Sequence, residues 1–217
     1  MVPARHNAGM LLKKGEFPVL AGSAIYIPVF TVIALRRGNA EFLLYAGIIL
    51  VLAAWILWKQ RSIRFDLHIL WGLSIWGFLH MAGGNIPVGD GGRVLYSVEL
   101  IRIYPRLHIL RFDQMVHAFG FGVATLACYH LLRPFLKVDI ARWGVLALLV
   151  VLLGSGLGAL NEIVEFIAVL CMPETGVGGY ENTLCDLVFN LIGSLIAVAY
   201  LTRQRTRTPE TRLTRSG

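Results

Sequence analysis

Three pairs of polar residues at helical spacing are the part of this sequence best suited to chemistry. Residues three or four apart share one face of an α-helix, so each pair presents its side chains together. Carboxylate and imidazole groups of this kind bind Zn²⁺, Mn²⁺ or Fe²⁺. The pairs are Asp113 with His117, Glu162 with Glu165, and Asp186 with Asn190, and Asn161 lies four residues before Glu165.

These residues lie within or beside apolar stretches, where ionisable groups are costly. An acidic side chain near the centre of a bilayer costs roughly 2.5–3.5 kcal/mol on insertion scales. A divalent cation would neutralise that charge. Carboxylates placed close together would alternatively share protons, which suits acid/base catalysis or proton relay. The sequence leaves both explanations open.

Composition assigns the chain to the integral membrane proteins. Hydrophobic residues make up 56% and charged residues 15% of its 217 residues, and the mean hydropathy is +0.67. Such values lie outside the range of soluble domains. The net charge of +7 comes from basic residues clustered between the apolar runs and in the tail, a distribution typical of topology signals. We therefore expect contact with lipid and none with nucleic acid.

Six apolar runs predict an all-α bundle of about six transmembrane helices, because about 20 apolar residues cross the hydrocarbon core. The transmembrane domain is predicted over 17–202, between a cytoplasmic N-terminal segment, 1–16, and a basic cytoplasmic tail, 203–217. The predicted spans are 17–35, 41–58, 67–84, 113–133, 143–172 and 183–202.

The distribution of Lys and Arg predicts that both termini are cytoplasmic, because cytoplasmic loops carry the excess of these residues. Most of them fall before the first span, after the second and fourth spans, and in the tail. In this orientation Asp113, His117, Asp186 and Asn190 lie near the outer ends of their spans, with Glu162 and Glu165 in the outer half of the fifth.

Polar groups from four spans are thus expected at a similar depth, since His80 lies near the outer end of the third span. Small residues on the last three spans, such as Gly158, Gly122 and Gly193, would let the helices approach closely. The predicted metal ligands are His117, His80, Asp113, Glu165 and Asp186. The predicted catalytic residues are Glu162, Glu165 and Asp113, with Asn190 and Asn161 supporting them.

Four segments resemble, in order and spacing, the YjdF-like family of bacterial inner-membrane proteins, and more distantly the VanZ-like family. They are "FLHMAGG", "FDQMVHAFGFG", "NEIVEF" and "CDLVFNLIGSL", within residues 67–202. The loop before the last span differs from the family pattern, because Asn182 stands where an aspartate is expected. The resemblance implies a multi-pass protein of the bacterial inner membrane.

Three functions are compatible with this pattern. One is a metal-assisted membrane hydrolase or transferase that acts on a lipid or lipid-linked substrate in the outer leaflet. A second is a proton-coupled transporter or ligand-binding membrane protein. The third is a purely structural polar interface between helices. Cys171 and Cys185 flank the last outer loop, where a disulfide is conceivable, and the oligomeric state is left open.

Overall fold

Six helices dominate the computed structural model, which describes residues 13, 15–89, 92–101, 110–136 and 142–207. Most of the predicted N-terminal segment and the tail from 208 onward lie outside these residues. A short antiparallel pair of strands, β1 and β2, precedes the fourth helix. The elements are α1 (Phe17–Arg37), α2 (Ala40–Ile63), α3 (Leu67–Asn85), β1 (Glu99–Ile101), β2 (Leu110–Arg111), α4 (Phe112–Leu132), α5 (Trp143–Cys171) and α6 (Tyr180–Arg207).

The predicted all-α membrane helix bundle is confirmed, because each predicted span is a helix. Five helices, namely α1, α2, α4, α5 and α6, are long and apolar enough to cross a membrane. Helix α3 has 19 residues and is less apolar, since it contains His68 and His80 and several glycines. Helix α6 begins three residues earlier than predicted and continues through Arg207.

Local sequence signals set the helix ends. Gly38 adopts the left-handed conformation at φ 65° and ends α1, and its backbone N–H bonds to the carbonyls of that helix. The next residue, Asn39, starts α2 by accepting a hydrogen bond from Phe42 N at 3.1 Å, as expected for a helix N-cap. Only glycine adopts positive φ at low cost, so the pair Gly38–Asn39 makes the tight turn between two spans.

The chain divides into two compact units, a first unit up to Asn85 and a second from Ile86 onward. In the first unit, α1 packs against both α2 and α3. In the second unit, α4, α5 and α6 pack against one another, with β1 and β2 near the start of α4. The prediction of one transmembrane domain over 17–202 remains untested.

Glycine brings α4 and α6 into close contact in the second unit. A Cβ atom built on Gly193 would collide with the backbone carbonyl of Ala118, and one on Gly122 would lie 3.1 Å from the carbonyl oxygen of Gly193. Small residues at such positions let membrane helices approach closely. The polar faces of these helices are therefore buried against one another.

Surface and interior have opposite polarity in the second unit. Leu170 is 69% exposed and Ile196 is 64% exposed, whereas Asp186 and Asn190 are completely buried. In water this arrangement would be unfavourable, but lipid solvates apolar side chains. The distribution agrees with a membrane-spanning unit whose interior holds the polar groups.

Candidate functional site

His117 of α4 is the centre of a polar cluster formed by the three helices of the second unit. The imidazole is 5% exposed. Its Nδ1 atom lies 3.0 Å from Asn190 Oδ1 on α6 and 3.5 Å from Glu162 Oε1 on α5. Its Nε2 atom lies 3.6 Å from Asp113 Oδ1, one turn earlier on α4. One histidine therefore links two carboxylates and an amide.

The roles of the two ring nitrogens of His117 depend on its tautomer. When Nδ1 carries the proton it donates to Asn190 Oδ1, and Nε2 then presents its lone pair toward Asp113. A lone pair facing a carboxylate is unfavourable unless a proton or a cation lies between them. Hydrogen bonding of one ring nitrogen while the other faces acidic ligands is the usual arrangement of a metal-binding histidine.

Asp186 of α6 completes this side of the cluster and is held by two amide side chains. Gln114 Nε2 donates to its Oδ1 at 3.0 Å, and Asn182 Nδ2 donates to its Oδ2 at 2.6 Å. Asn182 Nδ2 also lies 3.4 Å from Asp113 Oδ2. The two aspartates are thus positioned by donors that leave their negative charge in place.

Helix α5 contributes two glutamates with different surroundings. Glu165 accepts a hydrogen bond from Asn161 Nδ2 at 2.8 Å. Glu162 is 7% exposed, and both of its carboxylate oxygens lack a hydrogen-bond partner. The Nδ2 atom of Asn190 is also buried without a hydrogen-bond partner. Buried polar atoms are nearly always satisfied, so these atoms would be the partners of a cation, a proton or a water bound in the cluster.

Two groups of side chains in the cluster have the geometry to hold a metal ion. Asp113, His117 and Asp186 form one group, and His117, Glu162 and Glu165 form the other. Within each group the ligand atoms lie within 4.8 Å of one another. One imidazole with several carboxylates is a donor set that fits Zn²⁺, Mn²⁺ or Fe²⁺. Six of the predicted site residues therefore come together, with Asn161 bound to one of them.

His80 lies in the first unit, among aromatic rings. Its ring centroid is 5.2 Å from that of Tyr45, 5.7 Å from that of Phe42 and 6.2 Å from that of Trp76. Neither group of potential metal ligands among the described residues includes it. Its membership in the site remains a prediction.

The sequence interpretation missed three residues of the cluster, namely Gln114, Asn182 and Arg111. Gln114 is three residues before His117 and is 1% exposed, and its Oε1 accepts a hydrogen bond from Arg111 N at 2.8 Å. Asn182 lies one turn before Asp186, at the position noted only as a departure from the family pattern. Helical spacing was the signal that would have included both. Arg111 is the N-cap of α4.

A pocket of about 440 Å³ lies next to the cluster, between the start of α4 and the start of α6. Gln114 and Asn182 line the pocket and also contact Asp186. Arg111 lines it too, and its Nη1 atom donates to Asn182 Oδ1 at 3.3 Å. The pocket therefore gives the cluster a neighbouring space that is lined by a cation and by amides.

Two hydroxyl groups continue the polar interior beyond Asn190. Ser194 Oγ donates to the carbonyl oxygen of Asn190 at 2.9 Å, and Thr125 Oγ1 lies 2.9 Å from Ser194 Oγ. Both residues are completely buried. Cys171 and Cys185 are free thiols in this structure, so they do not form the disulfide considered from the sequence.

These features define a multi-pass membrane protein with a buried polar cluster in its second unit. The chain belongs to the family described as "Predicted membrane protein (DUF2238)", which matches residues 19–207. The match covers all six helices, including the cluster. Neither the curated proteins nor the solved structures gave a significant match.

Proposed function

We propose that the chain is a membrane-embedded enzyme in which a divalent cation assists hydrolysis or group transfer on a lipid or lipid-linked substrate. One observation carries the proposal: His117 and the carboxylates of three helices converge in a buried site. Several buried acidic groups in a small volume need a compensating charge. Among the described residues only Arg111 brings a basic side chain into this network, and it contacts Asn182.

The two groups of potential ligands support two roles within one site. Asp113, Asp186 and His117 Nε2 are the ligands we assign to the cation. A cation bound there would polarise a carbonyl or phosphoryl oxygen of the substrate. Asn190 would keep the imidazole oriented, because an outer hydrogen bond fixes the ring of a ligating histidine.

Glu162 and Glu165 are the acid/base groups in this proposal. Glu162 is buried and lies 3.5 Å from His117 Nδ1 with no hydrogen-bond partner on either oxygen. A carboxylate held this close to the imidazole of a ligand can accept or deliver a proton. Glu165, which Asn161 orients, would accept the proton next or serve as a further ligand.

The location of the site follows from the charge distribution. Basic residues before α1, after α2 and α6 and around the α4–α5 connection favour the cytoplasm for both termini. The cluster and the pocket would then face the outer leaflet of a bacterial inner membrane. We also propose that the chain is YjdF-like and, more distantly, VanZ-like.

Elemental analysis of the purified protein tests the proposal. We expect about one equivalent of Zn, Mn or Fe per chain, and we expect His117→Ala and Asp186→Asn to lose most of it. His68→Ala is the matched control, because this histidine is exposed and belongs to neither group of potential ligands, and it should keep the metal. Two results together would leave only a structural polar interface. The wild-type protein would be metal-free with normal stability, and the Glu162→Gln variant would keep the full activity of the wild type.

A proton-coupled transporter is the second candidate, and the number of ionisable side chains buried together in the cluster favours it. Ionisable groups inside a membrane bundle commonly form proton relays. Reconstituted protein would then show flux driven by a pH gradient, and Glu162→Gln would abolish it. Flux that is unchanged by Glu162→Gln would eliminate this candidate.

A further inference from the structure

We infer that the pocket at the start of α4 and α6 binds the phosphate of a lipid head group through Arg111. This inference rests on the proposed function and deepens it, because it names the chemical class of substrate presented to the cluster. The pocket of about 440 Å³ is large enough for a head group. It shares Gln114 and Asn182 with the carboxylate cluster, so a bound head group would lie beside the proposed ligands.

Arg111 has the chemistry to bind a phosphate. A guanidinium group has five N–H donors and binds phosphate in a bidentate manner. Toward the other described residues, the Arg111 side chain makes one hydrogen bond, from Nη1 to Asn182 Oδ1 at the long distance of 3.3 Å. No carboxylate among these residues forms an ion pair with it. Within this part of the chain, most of its donors are therefore available to a ligand in the pocket.

Helix α6 adds a second favourable feature at the same place. It begins at Tyr180, which lines the pocket together with Gly178 and Gly179. The N-terminus of a long helix favours negative charge. Glu181 also lines the pocket and is exposed, so its charge suits a head group that carries an amine beside its phosphate.

The surroundings of the pocket favour a lipid over a soluble phosphate. The pocket lies at the ends of two helices that can span a membrane, where head groups are located. Below it, an exposed stripe of α6 consists of Tyr180, Leu184 and Val188, which are 79%, 42% and 53% exposed. These residues are spaced four apart on one helix face. An acyl chain has a continuous apolar surface there, starting at the pocket.

Binding of short-chain lipids to the full-length protein in detergent tests the inference. The probes are dihexanoylphosphatidylethanolamine, dihexanoylglycerol, which lacks phosphate, and inorganic phosphate. We expect the phospholipid to bind most tightly and Arg111→Gln to weaken its binding at least tenfold. Arg93→Gln is the matched control, because Arg93 is exposed and outside the pocket lining, and its binding should equal that of the wild type.

Three results would overturn the inference. If dihexanoylglycerol bound as tightly as the phospholipid, the pocket would not recognise the phosphate. If inorganic phosphate bound as tightly, the pocket would not require a lipid. If Arg111→Gln bound the phospholipid as tightly as the wild type, Arg111 would not be the binding residue. The melting temperature of Arg111→Gln checks its fold, since the backbone N–H of residue 111 still bonds to Gln114. Arg111→Lys keeps the charge and loses the fork, so it should bind between wild type and Arg111→Gln.

Repeating the titration after treatment with a chelator separates this inference from the proposed function. Arg111-dependent lipid binding in protein that never contains metal would support the pocket and contradict the metal site. A stoichiometric metal, together with lipid binding that Arg111→Gln leaves unchanged, would support the metal site and contradict the pocket.

Discussion

The two units bury similar polar side chains and use them in different ways. In the first unit, Gln60 bonds to the backbone N and O of Phe65 and donates to one carboxylate, Glu16 Oε1, and Asn85 Nδ2 donates to the carbonyl of Met81. In the second unit, Gln114 and Asn190 contact acidic or imidazole side chains on other helices.

This difference separates polar residues that stabilise a fold from those that form a site. A buried amide that satisfies a backbone group has completed its role. A buried amide that orients a carboxylate or an imidazole leaves that group with its charge or lone pair unused. Among the described residues, only the second unit brings an imidazole and carboxylates together at distances that could hold a metal ion. We therefore expect variants of the first unit to change stability alone and variants of the second unit to change ligand binding.

Gly193→Val should have the largest effect, because it separates the helices that carry the cluster. Its Cβ would collide with the backbone carbonyl of Ala118, which cannot rotate away. We expect a loss of about 3 kcal/mol or more in unfolding free energy, at the upper end for overpacking. Gly84→Val in the first unit meets the movable ring of Phe42 and should cost less. Gly156→Val, with no atom within 4 Å, is the control.

The measurement for these glycine variants is unfolding in mixed micelles, together with the yield of monodisperse protein. A Gly193→Val protein as stable as Gly156→Val would mean that close approach of α4 and α6 is not required for the second unit.

Asp186→Asn should weaken metal binding by about a hundredfold, which is about 2.7 kcal/mol. The amide keeps a hydrogen-bond acceptor for Gln114 or Asn182 and removes the negative charge from the ligand set. Competition with a chelator of known affinity measures the change. Glu41→Gln in the first unit is the control, since Glu41 is a carboxylate that is also buried, at 6% exposure. An equal loss in Glu41→Gln would break the contrast between the two units.

Asn190→Ala should weaken metal binding by about 10–100-fold, the usual range for a residue that orients a ligand. The substitution removes the partner of His117 Nδ1 at 3.0 Å and leaves the proposed ligands unchanged. Asn85→Ala, which alters an equally buried asparagine of the first unit, should leave metal affinity unchanged. The same competition assay compares the two, and similar affinities for both variants would contradict the orienting role.

The fold was largely predictable from the sequence, because apolar runs of sufficient length specify membrane helices. The start of α6 was placed three residues late, since Tyr180, Glu181 and Asn182 are polar enough to resemble a loop. Their helix begins after Gly178 and Gly179. An apolar run marks the part of a helix that contacts lipid, whereas α6 begins earlier, beside the pocket.

The site was predictable in part, because helical spacing places paired residues on one face. That rule identified His117 and the carboxylates that the structure brings together. It could not show which helices pack against each other, so the inclusion of His80 rests on its predicted depth alone and stays a prediction. The sequence interpretation also gave no weight to Gln114 and Asn182, although each lies one helical turn from a predicted site residue; their contacts between α4 and α6 depend on how the helices pack.

Gln60→Ala should have the smallest effect on the site and a measurable effect on stability. The amide donates to Glu16 Oε1 at 2.9 Å and to Phe65 O at 3.3 Å, and its Oε1 accepts from Phe65 N at 3.1 Å. Removing one partner of buried polar groups costs about 1–3 kcal/mol. Metal content and lipid binding should be unchanged.

The control is Gln204→Ala, at an exposed glutamine whose side chain hydrogen-bonds to Tyr200 OH. This variant should change neither stability nor binding. If Gln60→Ala lost metal while remaining folded, polar groups of the first unit would support the site, and the division of roles between the units would be wrong.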